Sequence, residues 1–350
     1  MTPHRPTTRI TQLALALAAI LAAAPLAAQS APARAAPVDT ALLAQATARA
    51  AELPRLRSLL IAYDGGIVTE RYFRGARADR GVNIKSVSKS IIAALVGIAI
   101  REGHLKSVRQ PVAELLPSHF GPATDARKRA ITVEDLLTMR AGLESTSFGN
   151  YGAWVTSRDW VRAAIAQPLV AEPGGEMIYS TGSSHLLSAI LTRATGVSTH
   201  RYAARVIGVP LGITIPPWQR DPQGVYFGGN DMYLTPRAML RFGMLYLERG
   251  RARGRQVVSA EWVDSSFVPR ARSGWSGHDY GYGWWARSVA GHEVRFAWGY
   301  GGQFIFVVPD LRLVVVATSL STGTNRDGGH LDAIHELVDR YVIPAVRPGA

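Results

Sequence analysis

From Ser88 to Glu102 the chain is apolar on nearly every side, with Ile91, Ile92, Leu95, Val96, Ile98 and Ile100 spread round the helical wheel and Gly103 following as a stop. A helix with no polar face is stable only at the centre of a large fold, because any exposed face would leave apolar surface in water. The remainder of the sequence must therefore wrap it. With 350 residues, 47% of them hydrophobic, the chain has the material for such a core. Charged residues are 19% of the total and glycine and proline are scattered without period, which excludes disordered, collagen-like and coiled-coil classes.

The elements around this helix follow from local pattern. Ala41 to Leu53 patterns as a helix, and Leu59 to Tyr63 with Ile67 to Phe73 flank Asp64-Gly65-Gly66 as a hairpin. Leu105 to about Pro217 reads as helices and loops. One of those helices is capped by Thr132, carries Glu134 and Asp135 in its first turn and ends before Gly142. Thr235 and Pro236 begin another, which runs to Glu248 ahead of Gly250. Strands are expected over Gly281–Ala286, Val294–Trp298, Phe304–Val308 and Leu313–Ser319, with a final helix over Leu331–Tyr341. Strands at both ends around a helical middle predict an α/β part from residues 38–104 and 218–346 and an all-α insertion over 105–217. The cleft between the two is the natural place for a site.

The N-terminus reads as an export signal over residues 1–28, with the boundary as late as 36: Arg5 and Arg9 precede an apolar run from Leu13 to Leu26, and Ala28 and Ala35 are candidate cleavage positions. Pro25 interrupts the run, which is shorter than the roughly 20 apolar residues of a spanning helix. An exported protein, periplasmic or secreted and without stable membrane insertion, is expected. The chain has no cysteine, so disulfides, thiolate metal sites and a lipid-modified cysteine are excluded. The formal charge of +13, or +11 once Arg5 and Arg9 are set aside, comes mostly from scattered arginine. No dense basic run is interleaved with stacking aromatics, so nucleic acid is not an expected partner, and weak attraction to anionic surfaces is the simpler consequence.

Three short segments carry chemistry. In Ser86-Val87-Ser88-Lys89 a serine and a lysine three apart at the opening of the buried helix project from one face. A serine hydroxyl attacks well only when a neighbour takes its proton, and lysine does so when desolvation lowers its pKa. The helix start adds N–H groups and a dipole suited to an oxyanion. The chain has four lysines (Lys85, Lys89, Lys106 and Lys128) and otherwise uses arginine, which cannot act as a base. The second segment, Tyr179-Ser180-Thr181, follows the turn Pro173-Gly174-Gly175; the third, Trp298-Gly299-Tyr300-Gly301-Gly302-Gln303, puts glycines at a strand edge where a ligand can approach. Taken singly, each has a plainer reading: a helix cap, a packing tyrosine, a tight turn with a bulge.

In this order, the three segments resemble the motifs of the serine β-lactamase and penicillin-binding-protein superfamily: Ser-x-x-Lys, Tyr-x-Asn or Ser-x-Asn, and Lys-Thr-Gly. The likeness runs from about Leu59 to Val342 and is greatest to the class C β-lactamase-like branch, which also holds esterases, D-amino-acid peptidases and 6-aminohexanoate-dimer hydrolases. It implies a β-lactamase/transpeptidase-like fold: an antiparallel sheet flanked by helices, with a helical insertion. It also implies that Ser86 attacks a carbonyl, that Lys89 and Tyr179 exchange its proton, and that the backbone N–H groups of Ser86 and Gln303 hold the oxyanion beside Gly301 and Gly302. Thr181 stands where the family commonly has Asn, and Tyr300 and Gly301 replace the Lys and Thr of the third motif. A tyrosine offers a hydrogen bond but no charge to a substrate carboxylate, which turns the expectation from β-lactams towards small esters or amides. Trp284, Trp285, Trp298 and Tyr300 would suit an apolar or linear acyl group.

The expectation is a monomeric hydrolase of a small-molecule ester or amide, needing no cofactor and no metal. A β-lactamase, a D,D-peptidase on cell-wall peptides, and a non-catalytic binding protein on the same scaffold stand as alternatives. Gly-x-Ser-x-Gly and His-Glu-x-x-His are absent, and His330 and His335 lie five apart, an awkward spacing for shared metal ligation.

Overall fold

The first strand pairs with the last strand of the chain, and that pairing organises the molecule. The computed structural model describes residues 38–322 and 329–346; the segment read as an export signal lies outside them. Helix α1 (Thr40–Glu52) is capped by the Asp39 carboxylate, which accepts from the N–H groups of Ala41 and Leu42. The hairpin β1 (Leu56–Tyr63) and β2 (Gly66–Tyr72) follows. After the buried helix α2 (Ser88–Arg101), the middle of the chain contributes helix α3 (Thr181–Thr195) and then helix α4 (Pro236–Leu247), begun as expected by a Thr235 cap and Pro236.

The C-terminal third supplies β3 (Ala271–Arg272), β4 (Asp279–Tyr280), β5 (Trp285–Val289), β6 (His292–Gly299), β7 (Gln303–Val308) and β8 (Leu313–Ser319), before helix α5 (His330–Leu337). Together with the first hairpin they form one eight-stranded antiparallel sheet in the order β2-β1-β8-β7-β6-β5-β4-β3. The seam joining the two ends of the chain is the β1–β8 pair, with Leu60 opposite Val316 and Ala62 opposite Val314.

β7 and β8 are buried on both faces, which is why their sequences run apolar instead of alternating. On one face Leu60, Ile305, Val307 and Val316 join the large core that surrounds α2; on the other Ile61, Phe304, Phe306 and Val315 are covered by α1 and the C-terminal helices. In α2 every residue from Ser88 to Ala99 is buried, as its composition requires. Among the described residues, no helix is long and apolar enough to cross a membrane.

The strand expected over Gly281–Ala286 is not continuous. β4 ends at Tyr280, β5 begins at Trp285, and the four residues between them fold into a turn against α2. Gly283 there has a φ of +75°, a value that favours glycine, and its carbonyl accepts a 2.6 Å hydrogen bond from the Ser90 hydroxyl. The helix read over Leu331–Tyr341 starts one residue earlier and continues, through a wider turn, to Ala345.

Candidate functional site

Ser86 lies in a short 3₁₀ turn, Lys85–Val87, that feeds directly into α2, so the serine stands at the mouth of the helix and not within it. The turn is anchored by fully buried Ile84, whose N–H donates to the Met232 carbonyl at 2.9 Å, and by the Ser88 hydroxyl, which donates to the Lys85 carbonyl at 2.8 Å. Lys85 is held at a φ of +52°, a left-handed conformation for a residue with a side chain. The end of β6 presses on this turn: a Cβ at Gly299 would fall 3.2 Å from the Lys85 Cβ and closer still to the Ile84 carbonyl, so only glycine lets the two backbones meet.

One helical turn further on, Lys89 reaches back to Ser86. Its ammonium Nζ is 2.9 Å from Ser86 Oγ, donates to the Gly229 carbonyl at 2.7 Å and to Thr181 Oγ1 at 3.3 Å, and sits 5.0 Å from the centre of the Tyr179 ring. Lys89 is buried, at 3% exposure, and burial alone pulls its pKa down to about 7. A lysine in this state is divided between base and acid near neutral pH. Thr181, where the resemblance led one to look for an amide, uses its hydroxyl to touch the same ammonium.

Tyr179 and Thr181 straddle the start of α3 and are fixed by a loop that the sequence reading passed over. The Ser145 hydroxyl donates to the Tyr179 carbonyl at 2.7 Å, the Thr181 N–H donates to Ser147 Oγ at 2.7 Å, and the Gly182 N–H donates to Thr146 Oγ1 at 2.8 Å. Only the hydroxyl run Ser145-Thr146-Ser147 itself could have signalled this latch. Burial raises the Tyr179 pKa well above its ordinary value, and a hydrogen bond with Ser86 pulls the other way without offsetting it. At neutral pH Tyr179 is therefore a protonated phenol, beside the serine and able to give a proton.

Ser86, Ser147, Tyr179 and Thr181 line a cavity of about 570 Å³. One wall is aromatic: Tyr179 stacks on Trp285 at 5.6 Å, and Trp275 packs on Trp298 at 5.3 Å, with Phe148 at the rim. The other is polar, with Lys85, Tyr151, Asn230, Asp231 and the half-exposed Tyr300. Of the aromatic residues expected here, Trp284 is instead fully buried in the main core against Phe242 and Tyr246. The Gln303 side chain also points away: it is buried and exchanges two hydrogen bonds with the Ser319 backbone, at 2.7 and 3.1 Å. Gly301 and Gly302, with φ of +81° and +97°, form the turn that separates Tyr300 from Gln303. Among the described residues, no group of histidine, cysteine and carboxylate side chains could hold a metal ion.

A Ser-x-x-Lys turn at the head of a buried helix, a tyrosine at the start of a second helix, and a glycine hairpin on the adjoining strand define a class, and the chain belongs to the beta-lactamase family of serine hydrolases: the family model described as Beta-lactamase matches residues 57–339. The chain is similar to the 6-aminohexanoate-dimer hydrolase of Paenarthrobacter ureafaciens, 26% identical over 294 residues that cover 75% of this chain and 72% of that protein. Among solved structures it resembles a penicillin-binding protein homolog from Caulobacter crescentus (17% identity, TM-score 0.67, covering 87% of this chain and 99% of that one). It also resembles the octameric penicillin-binding protein homologue from Pyrococcus abyssi (20% identity, TM-score 0.65, covering 85% and 76%). The fold is thus the β-lactamase/transpeptidase-like one, with its antiparallel sheet and flanking helices.

Proposed function

We propose that this protein hydrolyses small esters or amides through an acyl-enzyme on Ser86. The observation that carries the reading is the 2.9 Å contact between Ser86 Oγ and a lysine whose burial, with no paired carboxylate, brings its pKa to about 7. In this reading neutral Lys89 takes the Ser86 proton as Oγ adds to the substrate carbonyl. The oxyanion that forms is held by backbone N–H groups of Ser86 and of the turn running from Tyr300 to Gln303; donors of this kind are worth about 3 to 4 kcal/mol in the transition state. Tyr179, a phenol at neutral pH, donates a proton to the departing alcohol or amine. Water then attacks the acyl-enzyme and releases the acid, with Lys89 and Tyr179 exchanging the proton in the reverse sense.

The aromatic wall suits a linear or apolar acyl chain, and the similarity to a 6-aminohexanoate-dimer hydrolase supports an amide of that build. Tyr300 in place of the third-motif lysine disfavours β-lactams. We also read the protein as exported and monomeric; the apolar N-terminal run behind Arg5 and Arg9 supports export.

The test compares wild type with Ser86→Ala on short-chain p-nitrophenyl esters, 6-aminohexanoate dimer and nitrocefin. Ester or amide turnover is expected from wild type, with a loss of at least about a thousandfold in the variant, and a fluorophosphonate should add covalently to Ser86 in intact-mass and peptide spectra. Equal activity of the two proteins, or a label on another residue, would remove Ser86 from the mechanism. Nitrocefin turnover far above ester turnover would move the substrate class to β-lactams.

A further inference from the structure

The only charged side chains lining the cavity, among the described residues, are Lys85 and Asp231. We propose that Lys85 is a substrate-binding cation which receives a carboxylate on the ester or amide, so that the enzyme selects acidic acyl compounds over neutral ones. This deepens the Ser86 reading and rests on it.

Lys85 occupies a backbone position that a side chain enters at a cost. Its φ of +52° is a conformation that glycine or asparagine adopts readily and that is disfavoured for other L-residues. Strain of this kind persists where the surrounding structure holds it in place, and it clusters at active sites. The choice of lysine points the same way: the chain has 35 arginines among its 39 basic residues and only four lysines, yet two of the four flank Ser86. Lys89 carries the proton chemistry. Lys85, on the other side of the serine, lines the same cavity as Ser86 and Tyr300, with its ammonium beside Asp231.

The ammonium of Lys85 is held loosely. It lies 3.5 Å from Asp231 Oδ1, at the long end of an ion pair, and that same oxygen already accepts a 2.6 Å hydrogen bond from the Asn83 amide. Both side chains are 23% exposed, so the charge is partly desolvated, which strengthens its attraction for an incoming anion. Asp231 steadies the ammonium at the cavity wall without closing off its remaining N–H groups, and a lysine has three to give. Because Asp231 Oδ1 is engaged by two donors, the lysine is the better placed of the pair to take a new partner. Lys85 thereby supplies, from the residue before the serine, the cation that Tyr300 cannot supply from the third motif.

The experiment uses two matched pairs of substrates on wild type, Lys85→Gln and Lys85→Arg. In the first pair the carboxylate is on the acyl group: the mono-p-nitrophenyl ester of glutaric acid against p-nitrophenyl valerate. In the second it is on the leaving group: the butyrate ester of 4-hydroxybenzoate against that of its methyl ester. Wild type is expected to favour the acidic member of at least one pair in kcat/KM. Lys85→Gln should lower that acidic-to-neutral ratio about tenfold or more, through KM, while Lys85→Arg should keep most of it. A purely structural role beside the serine would lower both members of a pair together and leave the ratio where it was, and that result would overturn the proposal. So would a wild type with no charge preference, or one that favours a cationic ester such as p-nitrophenyl 6-aminohexanoate. A ratio unchanged in Lys85→Gln, with neutral-ester turnover still abolished by Ser86→Ala, sinks the Lys85 inference alone; turnover that survives Ser86→Ala sinks the reading beneath it.

Discussion

A lysine becomes a base at neutral pH by losing solvent without gaining a counter-charge, and Lys89 meets both conditions: burial is the cause of its lowered pKa, and its partners are a carbonyl and two hydroxyls. If neutral Lys89 is the form that takes the Ser86 proton, kcat/KM on a neutral ester should rise about tenfold per pH unit below 7 and level off above it, a change of about a hundredfold from pH 5 to pH 8. A flat profile over that range would take Lys89 out of the base role. The same shift has a stability consequence of the same sign as that of a carboxylate whose pKa is lowered by folding. Between pH 7 and about 10 the unfolded chain holds a proton on Lys89 that the folded protein lacks, so raising the pH favours the folded state; below 7 both hold it and the full cost of burying the charge is present. In urea unfolding, wild type should therefore gain on Lys89→Met by about 1.4 kcal/mol per pH unit between pH 7 and 9.5 and by nothing between pH 5 and 6.5.

At the scale of elements, the turn between β4 and β5 is a support for α2 as much as a link between strands. A Cβ at Gly283 would lie 2.9 Å from the Lys89 carbonyl and 3.1 Å from the Ser90 Cα, backbone atoms that cannot step aside, and the residue's φ is positive besides. Gly283→Ala should therefore cost about 2 to 4 kcal/mol in urea unfolding and lower kcat more than KM, since the carbonyl of Lys89 is the backbone pressed upon; a variant of wild-type stability would show that the turn yields freely. This turn also marks where local pattern stops being informative. Residues 281–286 are glycines, aromatics and one alanine in a strand-like string, and what breaks the strand is the approach of a helix nearly 200 positions away in the chain. α2 was legible because its apolar girth settles its burial without reference to anything else, and Ser86 and Lys89 were legible because their spacing within one helical turn is local. The Ser145–Ser147 latch, the Gly229 carbonyl and the Lys85–Asp231 pair were not, because each joins segments at least 34 positions apart through polar contacts that leave no period in the sequence.

The whole molecule is a sheet buried on two faces, and the two covers do different work. The α2 side carries the serine and the lysine, while the core on the α1 and α5 side carries the aromatic wall of the cavity, with Trp285 in it and Tyr179 and Trp298 packed against it. The second cover is coupled to the site through the hairpin as well: His330 Nε2 lies 2.9 Å from Ser319 Oγ, and the Ser319 backbone in turn binds the buried Gln303 side chain at the foot of the Gly301–Gly302 turn. α5 also lays Ile334 and Leu337 against the apolar face that Phe304 and Phe306 present, and Asp339 just beyond it pairs with Arg287 of β5 through two hydrogen bonds, 2.6 and 2.8 Å long. Ending the chain at Gly329 would thus remove no residue of the cavity and still uncover the part of one side of the central strands that α1 does not cover. Such a truncation is expected to bind a hydrophobic dye, to lose a cooperative thermal transition and to lose esterase activity, because exposing buried leucine, isoleucine and phenylalanine side chains costs about 1.5 to 3 kcal/mol each against a total stability of about 5 to 15 kcal/mol. A soluble, cooperatively unfolding and active truncation would mean that α1 alone suffices as the second cover, and that the His330–Ser319–Gln303 chain has no part in holding the hairpin over Ser86.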